Sequence, residues 1–170
     1  MPRDLMVVNK DKGGFNKTHL GVQMGVERHW LHRDRLAHWL RWQYVCKIVK
    51  PKEDRVVDLG CGDGSLALAL YANMLGPRSY VGFDLREQLL KGVRKRVTPN
   101  FPCEFVAANL FQEWGLEIAP VVRAATIITN FEVVEHVPPE LVKPFLERVR
   151  NNMSPEAVFL LSTPCFDGKT

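Results

Sequence analysis

A glycine-rich segment between a short apolar strand and a helical run constrains the fold of this chain more than any other feature. The segment reads Gly60-Cys-Gly-Asp-Gly64, follows a predicted strand over 55–59 and precedes a helix predicted over 65–74. Glycine has no Cβ and adopts positive φ, so the backbone turns sharply here and lets a ligand approach closely. Asp84 ends the next predicted strand and is placed to accept hydrogen bonds from both hydroxyls of a ribose.

Strands and helices alternate along the rest of the chain. Further strands are predicted at 80–84, 103–107, 124–129 and 157–162, and helices at 86–97 and 139–152. This alternation indicates parallel pairing through right-handed crossovers, and so an α/β, doubly wound, Rossmann-like sheet, mostly parallel, with helices on both faces. The sequence stops soon after the fifth strand, and we expect the sheet to lack the C-terminal strands that often complete such a fold.

The composition is that of an ordinary globular protein. The 170 residues are 46% hydrophobic and 25% charged, and 12 Gly and 11 Pro follow no period, which excludes collagen-like, coiled-coil and disordered classes. No apolar run has the length of a bilayer span and no signal-peptide pattern is present, so we expect a cytoplasmic protein without a membrane partner. Four isolated cysteines form no zinc or redox motif and are expected to be reduced.

The N-terminal region differs from the rest in charge. Residues 1–52 contain 11 Lys and Arg against 4 Asp and Glu, a net +7, so the remainder carries −3 of the total +4. We predict an N-terminal arm and amphipathic helical cap over 1–51 and a ligand-binding core over 52–170, with the cap helix spanning 26–49 in one piece or in two joined near 32–34. The basic charge fits either a solvated helix face or attraction to nucleic acid.

Aromatic residues in the cap raise a similar choice. The residues are Trp30, Trp39, Trp42 and Tyr44, and they alternate with arginines. Aromatics interleaved with arginines can stack on bases and contact phosphates. Helical spacing of the aromatics instead favours packing on the sheet, with the arginines facing solvent, and this is the interpretation that we prefer.

The residues after the first glycines separate the ligand classes. A dinucleotide fingerprint needs a third glycine where Leu66 or Ala67 stands, and a phosphate-binding P-loop needs a Lys-Ser/Thr pair that is missing. The segment 56–64, with Asp84 after the second strand, resembles the first two motifs of the class I S-adenosylmethionine-dependent methyltransferases. The resemblance extends from about residue 52 to 164, and it implies S-adenosylmethionine as the cofactor and methyl transfer as the activity.

The same resemblance assigns roles by position. Asp58, Gly60 and Gly62 would lie against the methionine part of the cofactor, and Asp84 would hold the ribose. Asn109, after the third strand, stands where the family places a polar residue that accepts a hydrogen bond from the adenine amino group. The remaining predicted cofactor contacts are Cys61, Leu85 and Leu110.

A polar cluster follows the fourth predicted strand, where ligand crevices form in open α/β sheets. If residues 132–136 form a helical turn, then Glu132, Glu135 and His136 converge on one side. These three residues would then be ligands of Mg²⁺ or another divalent ion. Alternatively, His136 and Glu132 would be catalytic, supplying a general base near the methyl acceptor. Helix capping without chemistry is a third interpretation.

Two further resemblances compete over this cluster. The E-x-x-E-H string is similar to the metal-binding motif of the small-RNA 3′-terminal 2′-O-methyltransferases, in which a downstream His completes the site, but no His follows His136. The string is also similar to methyltransferases of small molecules such as quinone precursors, in which it shapes the pocket.

These alternatives leave the methyl acceptor open. Either a small molecule or a nucleic acid is expected, with Mg²⁺-assisted RNA 2′-O-methylation as one alternative. The segment beginning at Asn130 lacks the Asn/Asp-Pro-Pro-aromatic pattern, which argues against methylation of a base amino group. A methyltransferase-like binding protein without catalysis is the alternative from a different functional class.

Overall fold

The computed structural model describes the backbone of residues 33–163 and the side chains of residues 37–163. Five strands form one parallel sheet in the order β3-β2-β1-β4-β5. The elements are α1 (Arg33–Ile48), β1 (Arg55–Leu59), α2 (Ser65–Ala72), β2 (Ser79–Asp84), α3 (Glu87–Arg96), β3 (Cys103–Ala107), α4 (Ala119–Ala124), β4 (Ile127–Phe131), a 3₁₀ turn (Val134–His136), α5 (Pro139–Asn152) and β5 (Val158–Ser162). The predicted doubly wound α/β fold is confirmed.

Helices cover both faces of this sheet because successive side chains of a strand point to opposite faces. On β1, Val56 packs in a cluster with α1, α2 and α3, whereas Val57 and Leu59 pack in a second cluster with α4 and α5. Each cluster contains fully buried residues, such as Leu70 in the first and Phe145 in the second. The central strand β1 is therefore apolar from Val56 to Leu59 except at Asp58.

The order of the strands places a crevice at the carboxyl end of β1, between β1 and β4. From β1 the chain proceeds outward through β2 and β3, and it then crosses over to form β4 and β5 on the other side. The connections that leave β1 and β4 at their carboxyl ends therefore diverge, which makes this the topological switch point where ligands bind in open α/β sheets. The glycine-rich segment and the polar residues after β4 both lie at this point.

The predicted N-terminal cap is described from residue 33 onward, so its arm and Trp30 lie outside the described residues. Helix α1 ends at Ile48, before Pro51, as predicted. Trp42 and Val45 are buried in the same cluster as α2, and Trp39 packs against that cluster, so core packing is confirmed for these two tryptophans. Tyr44 is 56% exposed and does not belong to that core.

The start of β4 differs from the prediction. A strand over 124–129 was expected, but the strand is Ile127–Phe131, and residues 119–124 form α4 instead. Pro120 stands in the first turn of that helix, where its missing N–H leaves no helical hydrogen bond unmade. Residues 118–128 are apolar apart from Pro120, Arg123 and Thr126, and periodicity alone does not separate the helix from the strand.

Two smaller expectations concern membranes and cysteines. No helix among residues 33–163 combines the length and the apolar character that crossing a membrane requires. Cys46, Cys61 and Cys103 are free thiols, as predicted, and Cys165 lies outside the described residues.

Candidate active site

The loop between β1 and α2 adopts the conformation that its glycines permit. Gly60, Gly62 and Gly64 have φ values of 95°, 54° and 79°, all in the left-handed region. The N–H groups of Gly60 and Cys61 both donate to the carbonyl oxygen of Phe83, at 2.8 Å each, which holds the loop against the end of β2. The predicted sharp turn is confirmed.

At two of these glycines, neighbouring side chains leave no room for a Cβ. A Cβ on Gly60 would overlap Cγ2 of Val133, and a Cβ on Gly64 would lie 2.9 Å from Cγ1 of Val93. At Gly62, in contrast, the nearest atom to a Cβ is Nη2 of Arg86, at 3.9 Å. The loop is therefore packed on the β4 side and the α3 side, and its middle faces Arg86.

Asp84 lies directly against this loop, as the spacing predicts. Its Oδ2 accepts the N–H of Gly62 at 3.0 Å, and its Oδ1 accepts the N–H of Arg86 at 2.9 Å. The Arg86 side chain also donates to it, from Nε to Oδ1 at 3.0 Å and from Nη2 to Oδ2 at 3.3 Å. Burial acts to raise the pKa of Asp84, but the bonds and charge of Arg86 and the Gly62 N–H outweigh it, so the pKa lies below its usual value. The carboxylate is therefore ionised and fixed beside the loop.

Asp58 has a different environment from the one predicted for a cofactor contact. It is 5% exposed, and its Oδ2 and Oδ1 accept hydrogen bonds from the Tyr80 hydroxyl at 2.7 Å and the Thr129 hydroxyl at 2.8 Å. Burial raises its pKa to about 6, although these two bonds act in the opposite direction. Asp58 is therefore hydrogen-bonded to both neighbouring strands, β2 and β4, inside the sheet.

The other predicted cofactor contacts separate into accessible and buried residues. Asn109 follows β3, and its Oδ1 accepts the Phe111 N–H at 3.0 Å, which leaves the second lone pair of that oxygen for a ligand. Leu85 is 68% exposed beside Asp84, whereas Leu110 is buried in the cluster under α4 and α5. Cys61 is buried below the loop, where burial raises its thiol pKa well above the usual value.

Asn130, at the carboxyl end of β4, is a site residue that sequence reasoning used only as part of a missing motif. It is fully buried, and its Nδ2 donates to the carbonyl oxygen of Leu59 at 2.5 Å. Its Oδ1 has no hydrogen-bond partner among the described residues. Leaving a buried amide oxygen without a partner costs free energy. The bond from Nδ2 to Leu59 places the Asn130 side chain beside the start of the glycine loop.

The cluster after β4 is not the helical turn that was predicted. Glu132 has a φ of 56°, a left-handed conformation that few residues other than glycine adopt, and the helical turn begins only at Val134. Its N–H donates to the carbonyl oxygen of Ser162 at 2.9 Å. The prediction that residues 132–136 form one turn is therefore wrong, because the backbone at Glu132 does not continue a right-handed helix.

The side chains of this cluster consequently do not converge. Glu132 Oε1 lies 2.9 Å from Nη2 of Arg41, from α1, and it also accepts the Ser162 hydroxyl at 3.3 Å. Glu135 Oε2 accepts the Thr163 hydroxyl at 3.2 Å, and its Oε1 lies 3.8 Å from Nε2 of His136.

Residues 37–163 hold no group of three or more His, Cys, Asp or Glu side chains placed to bind a metal ion. The predicted ligand set of Glu132, Glu135 and His136 is therefore not assembled. Glu132 is instead held by the guanidinium of Arg41, a contact that links residues 91 positions apart and that the spacing of the motif does not indicate.

Similarity to known proteins agrees with this geometry. A family model described as a methyltransferase domain matches residues 28–169. The small RNA 2′-O-methyltransferase of Xenopus tropicalis is 30% identical over an alignment of 135 residues that covers 73% of this chain and 35% of that protein. The chain thus spans about a third of the length of this relative.

Solved structures share the fold at low sequence identity. An S-adenosylmethionine-dependent methyltransferase from Mesorhizobium loti has a TM-score of 0.57 at 23% identity, covering 76% of this chain and 54% of that one. The methyltransferase domain of bacterial CtHen1 has a TM-score of 0.52 at 21% identity, covering 65% and 58%. The family model spans most of the sequence, and the described residues form the sheet and glycine loop of such domains. The chain belongs to the methyltransferase domain family, with the class I fold of the S-adenosylmethionine-dependent enzymes.

Proposed function

We propose that this domain binds S-adenosylmethionine at the carboxyl ends of β1 and β2 and transfers its methyl group to an acceptor beside the end of β4. The observation that carries the proposal is the ionised Asp84 carboxylate, bonded to the Gly62 N–H at the switch point of the sheet. A carboxylate at this position is suited to a ribose diol, and a glycine loop lets the remainder of a ligand approach the backbone.

The described residues fit such a cofactor. A Cβ at Gly62 would meet no atom nearer than Nη2 of Arg86, at 3.9 Å, and the buried Oδ1 of Asn130 is an acceptor suited to the ammonium group of the methionine part. The second lone pair of Asn109 Oδ1 is suited to the adenine amino group. When bound, the sulfonium supplies an activated methyl group, and the main task of the chain is to align acceptor and methyl and to exclude water.

Among the predicted catalytic residues, His136 is better suited than Glu132 to act as a general base. The Glu132 carboxylate is already engaged by the Arg41 guanidinium at 2.9 Å and by the Ser162 hydroxyl at 3.3 Å. The His136 side chain is 75% exposed at the end of the 3₁₀ turn, so an acceptor hydroxyl has access to it. A hydroxyl acceptor loses its proton on methylation, and His136 would take it.

Calorimetric titration with S-adenosylhomocysteine tests the cofactor site. The wild type is expected to bind, and Asp84→Ala to bind at least about 30-fold more weakly, because two hydrogen bonds to a charged group are lost. Glu156→Ala is the matched control, because it removes an exposed carboxylate that is distant from Asp84 in the sequence, and it should bind like the wild type. Unchanged affinity of a folded Asp84→Ala variant, judged by circular dichroism, would contradict the ribose assignment.

RNA 2′-O-methylation is the second candidate for the transfer step. It is favoured by the 30% identity to the small RNA 2′-O-methyltransferase and by the basic charge of residues 1–52. Transfer of a labelled methyl group to a small RNA, compared with the same RNA ending in a 2′-deoxynucleotide, tests it. Label incorporated only when the terminal 2′-hydroxyl is present supports methylation at that hydroxyl. Equal incorporation into both RNAs rejects methylation at the 3′ end. A chain that binds S-adenosylhomocysteine but methylates nothing in an acceptor screen fits the binding-protein alternative.

Mg²⁺ assistance is the finer form of that second candidate. The string Glu132-x-x-Glu135-His136 motivates it, and the Arg41 contact argues against it, since a guanidinium lies against the first carboxylate. Repeating the RNA assay with Mg²⁺ and with EDTA decides whether the transfer step uses a metal ion. Equal transfer in both conditions would rule out a metal-assisted step.

A further inference from the structure

The hydrogen-bonding capacity of Asp84 is already in use. An ionised carboxylate has about four acceptor positions. Four donors surround this one: the N–H of Gly62, the N–H of Arg86, and Nε and Nη2 of the Arg86 guanidinium. A ribose diol needs two acceptor positions, so its binding requires two of these four bonds to be given up.

The four donors differ in their freedom to move. The N–H groups of Gly62 and Arg86 belong to the backbone of the glycine loop and of the residue that precedes α3. The Arg86 guanidinium is at the end of a flexible side chain that is 65% exposed, whereas the Asp84 side chain is 9% exposed. The two side-chain bonds are therefore the ones that a ligand can replace.

We propose that the Arg86 guanidinium competes with the ribose hydroxyls of the cofactor for Asp84, and that it thereby sets how much the ribose contributes to affinity. The inference rests on the proposed function, because it assumes that a ribose-bearing ligand occupies this site. Binding exchanges two N–H donors of Arg86 for two O–H donors of the ligand, while the bonds from the backbone remain. Arg86 is thus a specificity-determining residue, and a ligand without the diol leaves it in place.

Titration of three proteins with two ligands tests this role at pH 7.5, where Asp84 is ionised. The proteins are the wild type, Arg86→Ala and Lys95→Ala, and the ligands are S-adenosylhomocysteine and its 2′,3′-dideoxy analogue. Lys95 is an exposed cation on α3, so its removal matches the change in charge. Arg86→Ala should bind S-adenosylhomocysteine about two- to fivefold more tightly, the range expected for releasing a partly exposed ion pair.

The second ligand separates competition from a general electrostatic effect. The dideoxy analogue should bind the wild type and Arg86→Ala with equal affinity, and Lys95→Ala should match the wild type with both ligands. Arg86→Gln, which removes the charge and most of the forked donor geometry, should shift the affinity in the same direction as Arg86→Ala.

Each contrary outcome has a distinct meaning. Weaker or unchanged binding of S-adenosylhomocysteine by both Arg86 variants overturns the competition, and so does equal tightening for both ligands. If the wild type binds neither ligand, the proposed function fails, and this inference fails with it.

Discussion

The two sides of the crevice are built in different ways. On the β1–β2 side, the groups at the proposed cofactor site are backbone N–H groups and one carboxylate, and their positions follow from glycines and from the strand end at Asp84. On the β4 side, Glu132 is held by Arg41 from α1 and by Ser162 from β5. A site made of backbone is encoded locally, whereas a site made of side chains depends on partners that are distant in sequence.

Disrupting the contact between Gly60 and Val133, which joins the two sides of the crevice, should have the largest effect on stability. Gly60→Ala places a Cβ against Val133 and forces alanine into a φ of 95°, which should lower the free energy of unfolding by about 3 to 4 kcal/mol. Urea denaturation measures this change. Gly76→Ala is the control, because its Cβ would meet only ordinary contacts at 3.7 Å, and it should be close to neutral.

Adding Val133→Ala to Gly60→Ala sharpens that test. The truncation removes both methyl groups that the new Cβ would approach, so the double variant should recover part of the loss. The strain of the positive φ remains, and recovery should therefore be incomplete. Strict additivity of the two substitutions would show that the sides of the crevice are not in contact in solution.

The buried Asp58 predicts a pH dependence on the β1–β2 side. Its pKa in the folded protein is about 6, against 3.8 for the ordinary side chain, so the folded state holds this proton more tightly. Stability from this group is therefore present below about pH 4 and is lost as the pH rises to about 6, by roughly 2 to 3 kcal/mol.

Asp58→Asn removes that titration and isolates its effect. The difference in unfolding free energy between the variant and the wild type should rise in favour of the variant from pH 4 to 6 and then stay constant. Denaturation at a series of pH values measures it. Parallel curves for the two proteins would mean that Asp58 is not desolvated between Tyr80 and Thr129 as the structure has it.

A smaller effect is expected on the β4 side. Arg41→Ala removes the guanidinium that lies 2.9 Å from Glu132, in a site where the two side chains are 21% and 18% exposed, and it should cost about 1 to 2 kcal/mol of stability. Affinity for S-adenosylhomocysteine should change by less than about twofold, since Arg41 contacts the other side of the crevice. Lys47→Ala, which removes an exposed cation in the last turn of the same helix, controls for loss of charge.

The smallest expected effect is that of divalent cations. Because Glu132 is paired with Arg41, millimolar Mg²⁺ should leave the melting temperature of the wild type unchanged within error. Thermal scans with Mg²⁺ and with EDTA measure this. A clear rise in melting temperature with Mg²⁺ would restore the predicted metal site and would require Arg41 to leave Glu132.

The sequence predicts the β1–β2 side well for a physical reason. The strands 55–59 and 103–107 are found at their predicted bounds, since turn residues end each apolar segment. Glycine φ values and the acid at a strand end need no information from distant residues. The role of Arg86 is missed because a charged residue after a strand carries no signal of which acceptor it will bind.

The β4 side resists prediction for the opposite reason. Left-handed backbone at a glutamate is rare, so the pattern E-x-x-E-H favours a helical turn that Glu132 does not enter. The partner that holds it, Arg41, stands on a helix whose arginines were expected to face solvent. Only the packing of α1 over the sheet reveals that contact.

The lack of space between Gly60 and Val133 has a consequence for how the two substrates of a transfer reaction would bind. Under the proposed function, the loop would receive one substrate and the segment after β4 the other, and the two are in contact at Gly60 and Val133. A displacement caused by the first substrate would then alter the affinity for the second, and thermodynamic reciprocity would make the factor equal in both directions. Such a linkage between cofactor and acceptor would require no moving domain.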